Sequence, residues 1–232
     1  EYTEKGRISL TSTSLFREGR YYEMEYVYDQ FNRLKETLYP EVDSASENRF
    51  LVKNIYNDAG IVSEVWDESG NLYWKLLETN ARGQQVRSLL GNGIETSYKY
   101  DERNGAILSI RSINAKGDKI QDLAYHYDDV GNIEYREDLL IGVRESFNYD
   151  NLNRTEKTTL LKNNQFVESF TVDYDLNGNI KNRNNDWFYH YEYNNDDLRS
   201  SPHAVTKITE GASYDSKSLA TFDYDSIGNM TS

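Results

Sequence analysis

One seven-residue pattern recurs along this chain: an aromatic, Asp or Asn, two variable residues, Gly or Asn, a polar residue, then an apolar one. Tyr28 to Leu34, Tyr127 to Ile133, Tyr174 to Ile180 and Tyr224 to Met230 are four copies. Tyr56 to Val62, Trp66 to Leu72 and Tyr149 to Thr155 vary one or two positions. Tyr2 to Ile8 carries Thr in the Asp slot, and Tyr100 to Leu108 carries one extra residue before Gly105. Weaker copies follow Thr79, Ile113 and Tyr193. Twelve copies in 232 residues make about one per 19 to 20, unevenly spaced. Self-similarity of this kind is the mark of a repeat architecture and constrains the fold before anything else does.

The spacing is that of a turn. Asp favours the first position of a type I turn, where its carboxylate accepts from backbone amides further on. A three-residue hairpin loop is a type I turn closed by a residue at positive φ, usually Gly. Asn is a well-tolerated non-Gly residue there, and it fills the slot at Asn32 and Asn153. Positive φ is therefore expected at Asn32, Gly60, Gly70, Gly131, Asn153, Gly178 and Gly228.

The flanks read as strands. Aromatics stand two apart just before the turns, at Tyr26/Tyr28, Tyr98/Tyr100, Tyr125/Tyr127, Phe147/Tyr149 and Phe222/Tyr224. Residues two apart share a face of a strand, and those between are Val27, Lys99, His126, Asn148 and Asp223. One face is aromatic and the other mostly polar, as in a one-sided antiparallel sheet. Trp187, Tyr189, Tyr191 and Tyr193 extend that stripe. No segment has a helical period. The irregular stretches, Pro40 to Asn48, Asn194 to Pro202 and Gly211 to Ser218, do not resemble interdomain linkers. Residues 1–232 are thus expected to form a single all-β domain of consecutive antiparallel hairpins.

Composition sharpens this reading. Hydrophobic residues reach only 37% and the mean hydropathy is −0.84, which is thin for a deep core. There are 20 Tyr against 8 Phe and 3 Trp. Tyr packs with its ring but needs a hydrogen bond at its tip, so a single-layer sheet suits the chain better than an oily sandwich. A net charge of −13 argues against nucleic acid, whose binding rests on neutralised phosphates, and against anionic membrane surfaces. The absence of Cys excludes disulfides and thiolate metal sites. The longest apolar run, Leu139 to Val143, falls far short of the ~20 residues of a membrane-spanning helix.

These motifs resemble the YD repeats of the Rhs family: bacterial Rhs and wall-associated toxins, shell subunits of insecticidal toxin complexes, and the teneurins. Three features carry the resemblance. The first is the tandem Tyr-Asp-x-x-Gly-Asn motif. The second is Asn80 to Gln84, then Leu90-Gly91-Asn92-Gly93, then Thr96, Tyr98, Tyr100 and Asp101. The third is Ser201 to Thr206 followed by Tyr224 to Thr231. Together they span nearly the whole chain. The resemblance implies a curved or spiralling YD-repeat sheet, part of a hollow shell of a secreted or cell-surface protein that encloses or presents a C-terminal toxin domain. The family's Asp-Pro-x-Gly-Leu segment does not occur here: the two prolines are Pro40 and Pro202, and neither follows Asp. Self-cleavage is therefore not carried over.

No constellation for catalysis stands out. His126, His190 and His203 are not at metal-ligand spacing, and His126 and His190 alternate with tyrosines on a strand. His203 belongs to the Pro-His-Ala-Val signature, where a local turn contact is expected. There is no nucleophile elbow, no phosphate-binding loop and no calcium β-roll motif; the turn Asp and Asn residues read as loop chemistry. Trp66, Trp74 and Trp187 would stack on sugars if exposed, although Trp66 heads a repeat and is expected to pack.

The expected function is thus a non-enzymatic structural segment, with no catalytic, cofactor or metal residues and no assigned ligand site. The expected partner is the remainder of its own polypeptide shell or toxin domain. The alternative is a surface module presenting aromatics to carbohydrate or a protein partner. Because the repeats begin at Tyr2 and still run at Met230, the chain is expected to be part of a longer array whose open edges self-associate.

Overall fold

The computed structural model describes residues 1–15, 20–41, 49–191, 202–225 and 227–231. Every regular element among them is a strand, and none is a helix long and apolar enough to cross a membrane. The weak repeat after Tyr193, the loop residues 42–48 and 194–201, and Ser226 lie outside the described residues. The chain divides into two compact units, Glu1–Asp122 and Leu123–Ser232.

The first unit holds β1 (Leu10–Leu15), β2 (Arg20–Tyr28), β3 (Leu34–Leu38), β4 (Leu51–Tyr56), β5 (Val62–Asp67), β6 (Leu72–Thr79), β7 (Gln85–Leu90), β8 (Glu95–Tyr100), β9 (Ile107–Ile113) and the start of β10 (Lys119–Tyr127). The second holds the rest of β10, then β11 (Ile133–Asp138), β12 (Val143–Tyr149), β13 (Thr155–Lys162), β14 (Gln165–Tyr174), β15 (Ile180–Arg183), β16 (Trp187–His190), β17 (Lys207–Thr209) and β18 (Ser218–Thr221). Within each unit every strand pairs antiparallel with its neighbours in sequence, giving a plain meander of hairpins. The expected all-β class and consecutive hairpins are what the chain forms. The loop Gly211 to Ser218 joins β17 to β18, with Ser218 already the first residue of β18.

The meander explains the uneven spacing of the motif, because successive connections alternate between the two edges of a sheet. In the first unit the turns at 28–34, 56–62, 79–85 and 100–107 join β2 to β3, β4 to β5, β6 to β7 and β8 to β9, all on one edge. In the second, those at 127–133, 149–155 and 174–180 join β10 to β11, β12 to β13 and β14 to β15. The copies at Trp66 to Leu72 and after Ile113 close hairpins on the opposite edge of the first unit. The motif therefore runs in two interleaved series, one on each edge. The opposite edge also holds tight Asn-Asn turns that the motif did not flag. Asn163 and Asn164 have φ of 51° and 61°, and Asn184 and Asn185 have 57° and 56°. Positive φ at both central residues is the two-residue hairpin turn whose twist matches the strands.

There is no hydrophobic core in the usual sense. No hydrophobic side chain among the described residues is buried, and the buried ones are polar: Thr37, Ser88, Ser112, Asp122, Asn179, Asn182 and Thr209. The expected facing holds all the same. Tyr26, Tyr28, Tyr98, Tyr100, Tyr125, Tyr127, Phe147, Tyr149, Phe222 and Tyr224 are half-buried, while Val27, Lys99, His126, Asn148 and Asp223 between them are exposed. In the expected extension of the stripe Tyr189 and Tyr191 are half-buried, Trp187 is exposed, and Tyr193 lies outside the described residues.

Candidate functional site

The recurring structure is the Tyr–Asp turn, and its geometry follows from the motif position by position. In the copy at Asp128, the Asp N–H donates to the Asn132 carbonyl at 2.9 Å and the Gly131 N–H donates to the Asp128 carbonyl at 3.1 Å. The Asp128 Oδ1 accepts from the N–H groups of Val130 and Asn132 at 3.1 and 2.8 Å, and its Oδ2 accepts from Asn132 Nδ2 at 3.0 Å. The same set recurs at Asp175 with Asn177 and Asn179, and at Asp225 with Ile227 and Asn229. All seven positions expected at positive φ have it, from 59° at Asn153 to 96° at Gly131. Where Asn replaces Gly, Arg replaces the following Asn: Arg33 and Arg154 donate through Nε to Asp29 and Asp150 Oδ2, each at 2.7 Å.

These carboxylates are held charged. The Arg103 side chain, with the Arg103 N–H, lowers Asp101 to about 2. Asp67, Asp150 and Asp225 lie below the ordinary carboxylate value, led by the Asn71 side chain, the Arg154 N–H and the Asn229 side chain respectively. A carboxylate whose oxygens already accept from N–H donors of its own loop stabilises that loop rather than a metal ion. Among the described residues no group of three His, Asp or Glu side chains could hold one.

The tyrosine at the head of the motif links one turn to the previous one on the same edge. Tyr28 Oη donates to the carbonyl of Ile8, Tyr56 to Leu34, Tyr100 to Gln85, Tyr149 to Ile133 and Tyr174 to Thr155, at 2.7–3.0 Å, and Tyr191, which heads no copy, donates to Ile180 at 3.1 Å. In each case the acceptor is the seventh residue of the preceding copy. Tyr224 donates to Val205 at 3.0 Å. Burial raises the phenols of Tyr100, Tyr127, Tyr149 and Tyr191 above their usual value. The sixth residue reaches forward to the next turn. Arg33 stacks over Tyr56 at 4.1 Å and Arg154 over Tyr174 at 4.5 Å. Gln84 Nε2 donates to Gly105, Asn132 Nδ2 to Asn153 Oδ1, and Asn179 Nδ2 to Pro202. The motif thus encodes a turn and its bonds to the turns before and after it. The need for a partner at the Tyr tip was readable in the sequence; the partner was not, because it lies 11–22 residues away in a register set by the meander.

The histidines are spread apart. His126 is exposed, bonded through Nδ1 to Glu134 at 2.9 Å and stacked on Tyr135. His190 Nε2 pairs with Thr209 Oγ1 at 2.8 Å, and His203 Nδ1 with Asn179 Oδ1 at 2.7 Å. The His203–Asn179 contact ties its segment to the previous Tyr–Asp turn. Trp66 is half-buried and donates through Nε1 to Glu64 at 2.8 Å, as a packed head residue should. Trp74 is half-buried, and Trp187 is exposed.

No family model matches the chain. Toxin subunit YenC2 of Yersinia entomophaga is 39% identical over 64 residues, 25% of this chain and 7% of that protein. Toxin subunit YenC1 of the same organism is 31% identical over 87 residues, 34% of this chain and 9% of that protein. The crystal structure of TcdB2-TccC3-TEV aligns over 96% of this chain and 11% of its own, with a TM-score of 0.59 at 16% identity. The Tc holotoxin pore of Photorhabdus luminescens aligns over 88% and 10%, with a TM-score of 0.54 at 17% identity. The chain therefore spans a small fraction of the length of the proteins it matches, and the structural likeness is one of fold.

Proposed function

We propose that the chain is a YD-repeat, or Rhs-family, protein and a structural, non-enzymatic segment of the shell wall of a secreted toxin complex. The observation that carries this reading is the turn-to-turn bonding in the absence of a buried apolar core. Along one edge, hairpins such as that of Tyr149 are held to the last by a Tyr hydroxyl, and those of Asn132 and Arg154 to the next by their side chains. Such a sheet grows by adding hairpins and needs no second layer, as a thin wall requires. A globular enzyme of this length would bury a cluster of large apolar side chains. The two Yersinia relatives are toxin subunits, and one of the aligned structures is a Tc holotoxin pore.

In this reading the partners are the remaining repeats of the same polypeptide and the toxin domain it encloses or presents. Exposed Leu139, Leu140, Ile141, Phe166 and Val167 support it, because large apolar side chains clustered at one edge favour cover by further protein. The test is protease protection of the complete polypeptide that carries these repeats. Protection of the segment after the repeats until the wall is denatured is expected. Cleavage of that segment at the same rate with the wall intact or unfolded would overturn the enclosing role.

A further inference from the structure

Trp187 is not absorbed by the wall. It is 48% exposed and borders a shallow, open cleft lined by Phe170, Arg183, Asn184, Asp186 and Trp187. The cleft exists because β14 runs past the end of β15: Val172 pairs with Arg183, and the hairpin then turns at Asn184 and Asn185. Phe170, two residues before Val172, shares a face with it. Arg183 and Trp187 are opposite each other across β15 and β16. The Arg183 guanidinium lies over the Phe170 ring at 5.2 Å, which fixes one wall. The turn is fixed as well: the Asn184 N–H donates to the Thr171 carbonyl at 2.9 Å, and its Oδ1 accepts from the Thr171 N–H at 2.8 Å.

What remains free in this frame defines the ligand. The Arg183 guanidinium, the Asn184 Nδ2 and the Asp186 carboxylate have no hydrogen-bond or ion-pair partner among the described residues. Two of these are donors and one is an acceptor. One positive and one negative charge cancel, so neither an anion nor a cation is selected. A flat, exposed indole asks for a flat apolar face. A ligand with hydroxyls that both donate and accept around its rim, an apolar C–H face and no net charge is a neutral pyranose. We propose that this cleft between β14, β15 and β16 binds a neutral saccharide, with one sugar ring on Trp187 and its hydroxyls on Arg183, Asn184 and Asp186. The site is independent of the shell reading and would give the wall a carbohydrate contact.

The experiment is saturation-transfer NMR on the intact chain with maltotriose, cellotriose, mannotriose and chitotriose, one at a time. Saturable binding of at least one, with Kd on the order of 1 mM and transfer strongest to ring C–H protons, is the expected result. Trp187→Ala should weaken it by about tenfold or more, the loss of a single aromatic platform worth ~1.4 kcal/mol. Asp186→Asn should weaken it less, and Tyr21→Ala, at an exposed aromatic in the other unit, should leave it unchanged. Far-UV circular dichroism checks that each variant is folded. Absence of binding by all four sugars, or undiminished binding by folded Trp187→Ala, overturns the proposal. So does occupation of the cleft by a strand-forming peptide, added to the overhanging edge of β14, that the sugars do not compete away.

Discussion

Replacing Tyr149 with Phe isolates the bond that joins one turn to the last. The ring stays and only the hydroxyl, which donates to the Ile133 carbonyl at 2.8 Å, is lost. A hydrogen bond between neutral groups contributes about 0.5–1.5 kcal/mol net. The site is half-buried, so water replaces part of the lost bond, and about 1 kcal/mol is expected. With an m-value of about 2 kcal/mol/M in urea, the midpoint of the transition should fall by about 0.5 M. Tyr174→Phe, which removes the bond to Thr155 at 3.0 Å, should do the same, and the pair should lower the midpoint by roughly twice as much. Tyr21→Phe is the reference, because that ring is 69% exposed and its hydroxyl has no partner among the described residues; its midpoint should not move. Urea titration followed by far-UV circular dichroism reads all four. If Tyr149→Phe leaves the midpoint where Tyr21→Phe does, the hydroxyl ladder does not hold the repeats together and the reasoning fails.

Gly91→Ala should cost more than the ~1–3 kcal/mol usual for overpacking, because the new Cβ would fall 1.7 Å from the Leu72 carbonyl oxygen, which is backbone and cannot swing aside. At Gly131 an added Cβ meets no atom within 4 Å, so Gly131→Val should cost chiefly its strain at φ 96°, above about 1 kcal/mol; calorimetry of the two variants separates clash from conformation, and equal losses would show the assignment to be mistaken. Asp122→Asn removes the charge from a carboxylate only 3% exposed that accepts from Arg111 and Lys119, and should cost about 1–3 kcal/mol in a urea titration, less in high salt. Acid should act through the turns. Their carboxylates have folded values below the unfolded one, so their stabilisation is present above about pH 4. It is lost as pH falls through the folded values, near 2 for Asp101. Thermal melting from pH 6 to pH 2 should show this decline, shallower in Asp101→Asn, and an equal decline in that variant would contradict the linkage.

Much of this was legible in the sequence because the turn chemistry is local. Asp128, Gly131 and Asn132 form their loop with one another, so their spacing alone specifies it. The strand faces followed from period-two aromatics for the same reason. What lay beyond local reasoning is what the pairing register decides. The Ile133 carbonyl as the target of Tyr149 depends on two intervening strands, and the assignment of Trp66 and Ile113 to the opposite edge depends on counting them. The Asn163-Asn164 and Asn184-Asn185 turns were within reach, since paired Asn between alternating segments signals such a turn, but a search keyed to Tyr–Asp passes over them. The Trp187 cleft could not be seen, because it arises from the unequal lengths of β14 and β15.

In the proposed role these hairpins form one stretch of a thin, self-stapled wall around a hollow interior. Single-particle electron microscopy of the complete polypeptide that carries them tests it most directly. The expected result is a closed shell with an empty or cargo-filled lumen, these strands as a single layer in its wall, and the Tyr–Asp turns stacked along one edge of the sheet at every second connection. A solid particle in which this sheet packs face to face against another layer, burying its aromatic face in a continuous core, would contradict it.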